Sequence, residues 1–335
     1  MKRVCVLGGG SFGTAMADLL ARRGQHVTMW MRDAEIADAI QTTHHNPKYL
    51  SQFQIDANAT ATTDLHDACA NADWILICTP SGTLRSLCTD IAPMLHHQPI
   101  VLGCKGLENG SLMTCAEVVV DVLGPAWENN TLALSGPSFA QEVMRQCPTA
   151  VVLACKDDEL ATRIAHIFSC ETFRAYTSTD LVGVEMGGAL KNVMAIAAGV
   201  VSGLGLGENA RAALITRGIA EMSRLAEAKG GEALTLAGLS GVGDMLLTCM
   251  GQLSRNRALG QALGEGKSVQ EALASVKQVA EGYVTAQSAY ALAEREHVDA
   301  AITQAVYRVL YEGLPVRDAM LQLISRAPGK ERRDY

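Results

Sequence analysis

A loop of closely spaced glycines follows the first apolar run of the chain. The run Val4-Cys5-Val6-Leu7 leads directly into Gly8-Gly9-Gly10-Ser11-Phe12-Gly13, and a helical pattern comes next. In this spacing Gly8 permits a tight turn, Gly10 lets the backbone approach a pyrophosphate, and Gly13 lets the helix pack closely on the strand. The N-terminus of that helix would present free N–H groups to the phosphates. Because the loop lies between a strand and a helix, it predicts a dinucleotide site, with a plain glycine turn as the alternative.

The end of the second predicted strand bears on the choice between NAD and NADP. An acidic residue there, about 20 residues past the glycine loop, would hold the ribose hydroxyls and favour NAD. Here Arg32 takes the strand-end position and Asp33 follows it. A guanidinium can pair with a 2′-phosphate, so the pattern predicts that NADP is accepted, alone or beside NAD. The alternative is that Arg32 is an ordinary surface cation.

Short apolar runs alternate with helical patterns through the first half of the chain. Several of these runs are continuous, as expected for strands buried on both faces of a parallel sheet. The predicted strands are Arg3–Leu7, His26–Met31, Trp74–Cys78, Pro99–Gly103, Thr131–Ser135 and Ala150–Ala154. The helical patterns between them are Gly13–Arg23, Ala34–Gln41, Leu84–Met94, Leu112–Leu123 and Glu159–Phe168. The alternation predicts an N-terminal Rossmann-like, doubly wound α/β domain over residues 1–180.

Strand patterns stop after residue 180, and long helical patterns take their place. They are Leu181–Ser202, Ala210–Ala228, Ser254–Leu263, Ser268–Ala274, Val284–Glu296, Ala300–Tyr311 and Val316–Ser325. We therefore expect an all-α C-terminal domain over residues 181–335. Two domains also suit a chain of 335 residues, which is long for a single core.

Charge and targeting patterns narrow the class of protein. The formal net charge of −7 argues against nucleic acid as the main partner, because phosphate backbones need clustered Lys and Arg. The apolar run at Val4 stops at three glycines, so no signal peptide is predicted. The uncharged stretch Asn192–Gly207 is too short for a transmembrane span of about 20 residues. We expect a cytoplasmic protein with no membrane segment.

The cysteines and histidines show no spacing that is typical of a metal site. Ten cysteines are scattered along the chain without a Cys-x-x-Cys pair, and several lie in apolar runs. We interpret them as small core residues in a reducing compartment. The eight histidines include the adjacent pairs His44-His45 and His96-His97, whose side chains diverge in a helix or a strand. No metal is predicted.

Further motifs occur in order along the chain. They are Gly103-Cys104-Lys105-Gly106-Leu107, Ser135-Gly136-Pro137-Ser138-Phe139-Ala140-Gln141-Glu142, Glu185 with Ala189-Leu190-Lys191-Asn192-Val193, Gly241-Val242-Gly243-Asp244, Ser254-Arg255-Asn256 and Val279-Ala280-Glu281-Gly282. With the glycine loop they resemble the NAD(P)-dependent glycerol-3-phosphate dehydrogenases of the bacterial type, over essentially the whole chain. Phe12 is a mild departure, since Trp or Tyr is commoner there in the family.

The resemblance implies an oxidoreductase that interconverts sn-glycerol 3-phosphate and dihydroxyacetone phosphate with NADP(H), NAD(H) or both. The product would supply the backbone of phospholipids. The resemblance also implies that the helical domain binds the small phosphorylated substrate and carries the catalytic group. Two copies of the chain would pair as a homodimer.

The resemblance also assigns roles to individual residues. Lys191 is implied as the catalytic acid and base, because hydride transfer to a ketone leaves charge on an oxygen that a proton donor must reach. The residues implied for substrate binding are Lys105, Gly136, Ser138, Lys191, Asp244, Ser254, Arg255 and Asn256. The residues predicted for cofactor binding are Gly8, Gly10, Ser11, Phe12, Gly13 and Arg32, together with Lys105, Ala140, Arg255, Val279 and Glu281. Thr248, four residues beyond Asp244, is a further candidate for a hydroxyl contact.

Each of these polar residues also has an ordinary structural interpretation. Lys191 could be a surface lysine with a packed stem, and Lys105 an exposed loop lysine. Asp244 could cap a helix after its glycine-rich turn, with or without a place in the site. Ser254 could begin a helix beside a solvated Arg255.

Two rival functions remain at this point. A β-hydroxyacid dehydrogenase of the 6-phosphogluconate type would share the two domains and a catalytic lysine followed by Asn. The GPSFAxE and Ser254-Arg255-Asn256 motifs favour the glycerol phosphate enzyme. A non-catalytic NADP-sensing regulator would bind the nucleotide without needing Lys191.

Overall fold

One sheet of eight strands runs through the N-terminal part of the computed structural model, which describes residues 2–276 and 280–326. Its strands β1 to β8 are Arg3–Leu7, His26–Trp30, Ala59–Thr62, Trp74–Ile77, Ile100–Leu102, Thr131–Ser135, Thr149–Ala154 and Phe173–Ser178. Their order is β3-β2-β1-β4-β5-β6-β7-β8, and every neighbouring pair is parallel except β6 and β7. The chain order reverses between β1 and β4, the point at which open α/β sheets bind ligands.

Helices cover both faces of this sheet. Helices α1 to α7 are Ser11–Arg22, Ala34–Thr43, Leu65–Cys69, Leu84–Ile91, Cys115–Leu123, Ala140–Met144 and Asp158–Phe168. The residues of β1 alternate between two apolar clusters, with Val4 and Val6 in one and Cys5 and Leu7 in the other. A strand buried on both faces needs a continuous apolar run, which is the pattern on which the prediction rested. The predicted doubly wound, Rossmann-like class is confirmed.

Two edge strands and one antiparallel pair depart from the sequence prediction. β3 and β8 lie at the two edges of the sheet, where solvent-facing residues such as Thr60 and Arg174 interrupt the apolar pattern. The pair β6–β7 is antiparallel, and its connection contains only the short helix α6. The six predicted strands are all present, with small shifts at their ends.

The residues after β8 fold into helices packed around one central helix. Helices α8 to α15 are Leu181–Gly203, Gly207–Ala228, Asp244–Met250, Arg255–Gly264, Val269–Ser275, Glu281–Arg295, Ala301–Tyr311 and Val316–Ile324. α8 lies in the middle of the apolar cluster of this region, through residues such as Leu190, Val193 and Met194. β8 ends at Ser178 and α8 begins at Leu181, whose N-cap is Asp180. A domain boundary between residues 180 and 181 stays a prediction.

α8 has the length and composition of a membrane-spanning helix, but it is the core of this fold. It has 23 residues, and 94% of its most apolar window is buried inside the structure. The sequence argument considered only the uncharged stretch from Asn192, and the helix starts well before it, at Leu181. Its burial against neighbouring helices accounts for its apolar composition.

Glycines let α8 and α11 pack with their backbones in contact. A Cβ atom added at Gly199 would lie 2.1 Å from the carbonyl oxygen of Arg257, and one at Gly260 would lie 1.9 Å from that of Ile196. Both values are far inside van der Waals contact, so these two positions fix the separation of the helices. α11 carries the Ser254-Arg255-Asn256 motif at its start, and its position against α8 therefore affects the candidate site.

We predict that Gly260→Ala destabilises the protein by about 1–3 kcal/mol, because the added methyl group must push the two helices apart. Gly82→Ala is the matched control, since a Cβ there would meet nothing within 4 Å. Urea unfolding of both variants gives the comparison. Equal midpoints for the two variants would contradict close packing of α8 and α11.

Candidate active site

The glycine loop lies at the carboxyl edge of the sheet, between β1 and β4. Gly8 has a φ of +124°, and a Cβ there would lie 2.9 Å from the carbonyl group of Cys78. A Cβ at Gly13 would lie 2.0 Å from the carbonyl oxygen of Gly8. Gly10 is the N-cap of α1, and a Cβ there would meet nothing within 4 Å, so the backbone is open to a ligand. This arrangement fits a pyrophosphate at a helix N-terminus.

Ser11 and Phe12 form the first turn of α1, beside that open backbone. Both are partly buried. A Cβ added at Gly103, at the end of β5, would lie 3.0 Å from the Cε1 atom of Phe12, so the ring packs against the next loop along the sheet. The aromatic ring therefore links the glycine loop to the loop that carries Lys105.

Asn46 holds the glycine loop in place, and the sequence analysis did not single it out. Its side chain is fully buried. The Nδ2 group donates to the carbonyl oxygen of Gly9 at 3.0 Å and to Oγ1 of Thr14 at 2.9 Å. Its Oδ1 atom accepts from the backbone N–H groups of Lys48 and Tyr49. One amide thus ties a separate loop to the middle of the predicted phosphate-binding turn.

Arg32 and Asp33 lie just beyond the end of β2. The Arg32 side chain is exposed. One oxygen of Asp33 accepts from the N–H of Ile36 and caps α2, and the other lies 3.9 Å from Nζ of Lys48. The acidic group next to the expected ribose site is thus already engaged by a helix end and a lysine. The role of Arg32 in cofactor choice stays a prediction.

A buried carboxylate between two lysines forms the centre of the site. Asp244 is 2% exposed, and its Oδ1 accepts from Nζ of Lys191 on α8. Its Oδ2 accepts from Nζ of Lys105 at 2.6 Å. Lys191 also donates to Oγ1 of Thr248 at 3.1 Å, which agrees with the expectation for that hydroxyl. A single ion cluster therefore joins the end of β5, α8 and α10.

This geometry rules out the ordinary interpretations of its members. Lys191 is 7% exposed, so it is not a surface lysine. The side chain of Lys105 is 15% exposed and paired, so it is not an open loop lysine. Gly243, rather than Asp244, is the N-cap of α10, and a π-helical turn over Leu239–Gly243 runs directly into that helix. Asp244 therefore does not act as a cap.

Burial and neighbouring charges both shift the pKa values of the ionisable groups in this cluster. For each carboxyl group the two effects act in opposite directions. Burial lowers the pKa of Lys191 to about 8, helped by the charge of Lys105 and opposed by Asp244. Burial would raise the pKa of Asp244, but the two ammonium groups outweigh it and hold that pKa below its usual range. Burial raises the pKa of Glu281, against the charges of Arg255, Lys105 and Lys191. Lys191 can therefore exchange a proton near neutral pH while Asp244 stays charged.

The Ser254-Arg255-Asn256 motif begins α11 next to this cluster. Ser254 is the N-cap and accepts from the N–H of Arg257, so the helix-start interpretation of this serine is correct. Arg255 is exposed at the first turn. Asn256 is buried, donating to Oδ1 of Asn192 at 2.9 Å and accepting from the N–H of Gly282 at 3.0 Å. These two hydrogen bonds of the Asn256 side chain therefore join α8, α11 and α13.

The remaining predicted residues lie on loops around the same cleft. Gly136 follows β6 with a φ of +130°, and the Ser138 hydroxyl donates to its carbonyl oxygen. Ala140 is the first residue of α6, and Glu281 is the first residue of α13. Val279 lies outside the described residues. Among residues 2–276 and 280–326, no group of three or more His, Cys, Asp or Glu side chains is placed to hold a metal ion.

Family models and relatives match this chain along its whole length. The model for the N-terminus of NAD-dependent glycerol-3-phosphate dehydrogenase matches residues 3–161, and the model for its C-terminus matches residues 180–321. The chain belongs to the NAD-dependent glycerol-3-phosphate dehydrogenase family. This confirms the resemblance inferred from the motifs and makes the chain an NAD(P)-dependent oxidoreductase.

Individual members of the glycerol-3-phosphate dehydrogenase family are similar in sequence and in structure. The NAD(P)+-dependent enzyme of Myxococcus xanthus is 47% identical over 330 residues, covering 98% of each chain. That of Geobacter metallireducens is 47% identical, covering 99% of each chain. The crystal structure of the Coxiella burnetii enzyme superposes with a TM-score of 0.92 at 38% identity, covering 97% of this chain and 99% of that one. A ketopantoate reductase at 17% identity shares the fold alone, with a TM-score of 0.61.

We predict that Asn46→Asp weakens the binding of NADPH and NADH alike. The new carboxylate keeps the acceptor for Lys48 and Tyr49 but faces the Gly9 carbonyl without a donor. A buried carbonyl left unpaired costs roughly 1–3 kcal/mol, so the dissociation constants should rise by roughly tenfold or more. Fluorescence quenching by each cofactor measures the change.

Asn58→Asp is the control for this substitution, because Asn58 is an exposed residue of the same domain. Unchanged cofactor binding in a destabilised Asn46→Asp protein would show that Asn46 supports only the fold.

Proposed function

We propose that this chain interconverts dihydroxyacetone phosphate and sn-glycerol 3-phosphate. The relatives from Myxococcus xanthus and Geobacter metallireducens carry the name of this activity. The observation that carries the proposal is the buried cluster of Lys105, Asp244 and Lys191 at the sheet edge that also carries the glycine loop. A proton donor and a hydride donor must meet at one carbonyl group, and this edge brings their two sites together.

An absorbance assay with dihydroxyacetone phosphate and each reduced cofactor tests the proposal. Oxidation of NADPH or NADH supports it. The same assay with 6-phosphogluconate and NADP+ tests the β-hydroxyacid rival, and turnover there alone would contradict the proposal. Nucleotide binding without turnover of any substrate would favour the regulator.

Lys191 acts as the acid in reduction and as the base in oxidation. NAD(P)H, when bound, supplies the hydride for the carbonyl carbon. The carbonyl oxygen gains negative charge, and the Nζ–H bond of Lys191 breaks as the O–H bond of the alcohol forms. Asp244 and Thr248 orient that Nζ atom, and Asp244 stabilises the charged form. In the other direction the neutral amine takes the proton back.

The substrate phosphate binds at the start of α11. Arg255 offers a planar fork of donors that matches phosphate oxygens. The N-terminal end of the helix dipole adds to this attraction. Ser254 and Asn256 each keep one hydrogen that can be donated, beyond the bonds they make inside the protein. Lys105 contacts the substrate from the other side, and Gly136 and Ser138 line the approach.

The cofactor extends from the glycine loop to the cleft. Gly8, Gly10, Ser11, Phe12 and Gly13 hold its pyrophosphate, and Arg32 lies at its adenosine end. Further contacts come from Lys105, Ala140, Arg255 and Glu281, and the prediction for Val279 falls outside the described residues. The charge of Arg255 lowers the pKa of Glu281 against burial, which supports a shared place for these two residues at the mouth of the cleft.

Four wider features complete the proposal. The active form is a homodimer, which light scattering of the purified protein tests. The protein works in the cytoplasm, where a reducing environment suits its ten free cysteines. Its product serves phospholipid synthesis. The boundary between the nucleotide domain and the helical domain lies between residues 180 and 181.

We predict that the two directions of the reaction respond oppositely to pH. Reduction needs protonated Lys191, so its kcat/KM falls as pH rises through the pKa of about 8. Oxidation needs the neutral amine, so its kcat/KM rises through the same range. Lys191→Met should lower kcat in both directions by at least about 10²-fold, because it keeps length and bulk but carries no proton. NADPH binding by this variant should be unchanged, and near-normal kcat would contradict the role of Lys191.

We predict that Arg32→Ala weakens NADPH more than NADH, because only NADPH carries the 2′-phosphate. Loss of a charge-assisted hydrogen bond costs on the order of 1.5–3 kcal/mol. The ratio of kcat/KM for the two cofactors measures the change. Arg23→Ala, on the same domain after α1, controls for a general loss of positive charge. An equal loss of kcat/KM with both cofactors would mean that Arg32 is an ordinary surface cation.

A further inference from the structure

A small cavity lies beside Lys105, between the sheet edge, α5 and α8. Lys105, Ser135 and Glu185 contribute its polar lining, and Cys104, Cys115 and Gly188 are among its other walls. The cavity has a volume of about 10 Å³, which is near the room that one buried water molecule needs. No step of the proposed hydride and proton transfer uses Ser135 or Glu185.

Two polar atoms at this cavity have no hydrogen-bond partner among the described residues. They are Oγ of Ser135 and Oε2 of Glu185, and both atoms are buried. Ser135 is only 4% exposed, and a Cβ at Gly188 would lie 2.9 Å from its Oγ, so the hydroxyl has little freedom to turn elsewhere. A buried polar atom without a partner costs roughly 1–3 kcal/mol. A water molecule in the cavity would satisfy both atoms.

One part of the Glu185 carboxyl group is held by the backbone, and the other part faces the cavity. Its Oε1 accepts from the N–H of Ala116 at 2.9 Å, in the first turn of α5. Thr114, Cys115 and Glu117 face it from α5, and Lys105 faces it across the cavity. Lys229 pairs with Glu117 at 2.8 Å, and Glu281 lies beyond Cys115. Burial raises the pKa of Glu185 to about 7.

Lys191 needs a source of protons because each reduction removes one. It is 7% exposed, and a bound nucleotide and substrate would cover it further. Lys105 and Lys191 donate to the two oxygens of the same Asp244 carboxylate, so their Nζ atoms are neighbours. The pair of amines can therefore pass a proton between them, and the cavity adjoins the Lys105 side of the pair. Part of the Glu185 residue reaches the surface although its Oε2 atom is buried, and bulk solvent is the proton source that we assign to it.

We propose that Glu185 returns the proton to the lysine pair after each reduction, through a water molecule held in the cavity by Ser135. Lys105 first donates a proton to neutral Lys191, so that one N–H bond breaks on Lys105 and one forms on Lys191. The neutral amine of Lys105 then takes a proton from the water, which in turn takes the proton released as the O–H bond of the Glu185 carboxyl breaks. No electrons are transferred, and Glu185 regains its proton from solvent. The inference rests on the proposed function, because only a reductase consumes the proton of Lys191.

Stopped-flow mixing of NADPH-loaded enzyme with dihydroxyacetone phosphate near neutral pH separates the steps. Lys191 is protonated at the start, so Glu185→Gln should oxidise the first NADPH in each site at the normal rate. Later turnovers need the relay and should be slower than the first by at least about tenfold. Ser135→Ala should show the same difference between the first and later turnovers, but a smaller one. It replaces Glu185→Gln if that variant does not fold.

Glu221→Gln is the matched control. Glu221 is also buried with a raised pKa, but it accepts from Ile302 and Thr303 at the start of α14, away from the cluster. This control should show no such difference between the first and later turnovers. Equal slowing of first and later turnovers by Glu185→Gln would mean a merely structural role, and normal rates in both phases would mean another proton source. Either result overturns the relay, whereas failure of the unaltered chain to oxidise either NADPH or NADH overturns the proposed function itself.

Discussion

The contact between the carboxylate of Asp244 and two lysine ammonium groups is the interaction on which the catalytic chemistry depends. Moving ions from water into a protein interior costs several kcal/mol for each ion, even after relaxation. The cost is offset only where each charge meets an opposite charge at hydrogen-bond distance. Removing one partner from such a group typically costs about 3–5 kcal/mol. The elements that carry Lys105, Lys191 and Asp244 must therefore be placed accurately by the rest of the fold.

Glycines permit this accurate placement because they let the backbones of neighbouring elements come into direct contact. A Cβ at Gly187 would lie 2.6 Å from the carbonyl oxygen of Ser240, and one at Gly241 would lie 1.9 Å from that of Leu236. The first contact holds the π-helical turn before Asp244 against α8, and the second packs that turn against the segment that precedes it. One helical turn further along α8, Lys191 meets the carboxylate. Close packing at the glycines thus sets the length of the ion pair, and larger residues there would separate its charges.

The fold and the glycine loop could be predicted because their patterns are local. Gly8, Gly10 and Gly13 lie within six residues, and buried strands such as β1 show as continuous apolar runs. The site could not be predicted in the same way. Asp244 is 53 residues from Lys191, and its ordinary interpretation as a cap fails because the π-helical turn leaves it inside a continuous helix. Asn46 precedes a proline and looks like a turn residue, and nothing local shows that its amide points back to Gly9.

The charge balance of the cluster links substrate binding to proton transfer. Two ammonium groups against one carboxylate leave an excess of one positive charge in a buried place. Burial is the main cause of the lowered pKa of Lys191, and the charge of Lys105 adds to it. A phosphorylated substrate brings negative charge close to the same cluster. Its arrival would stabilise the ammonium form of Lys191 and raise the pKa again. The acid is then fully charged when the ketone is in place, and it loses that support as the phosphorylated product leaves. The same excess charge thus attracts the substrate and prepares the proton that the reduction consumes.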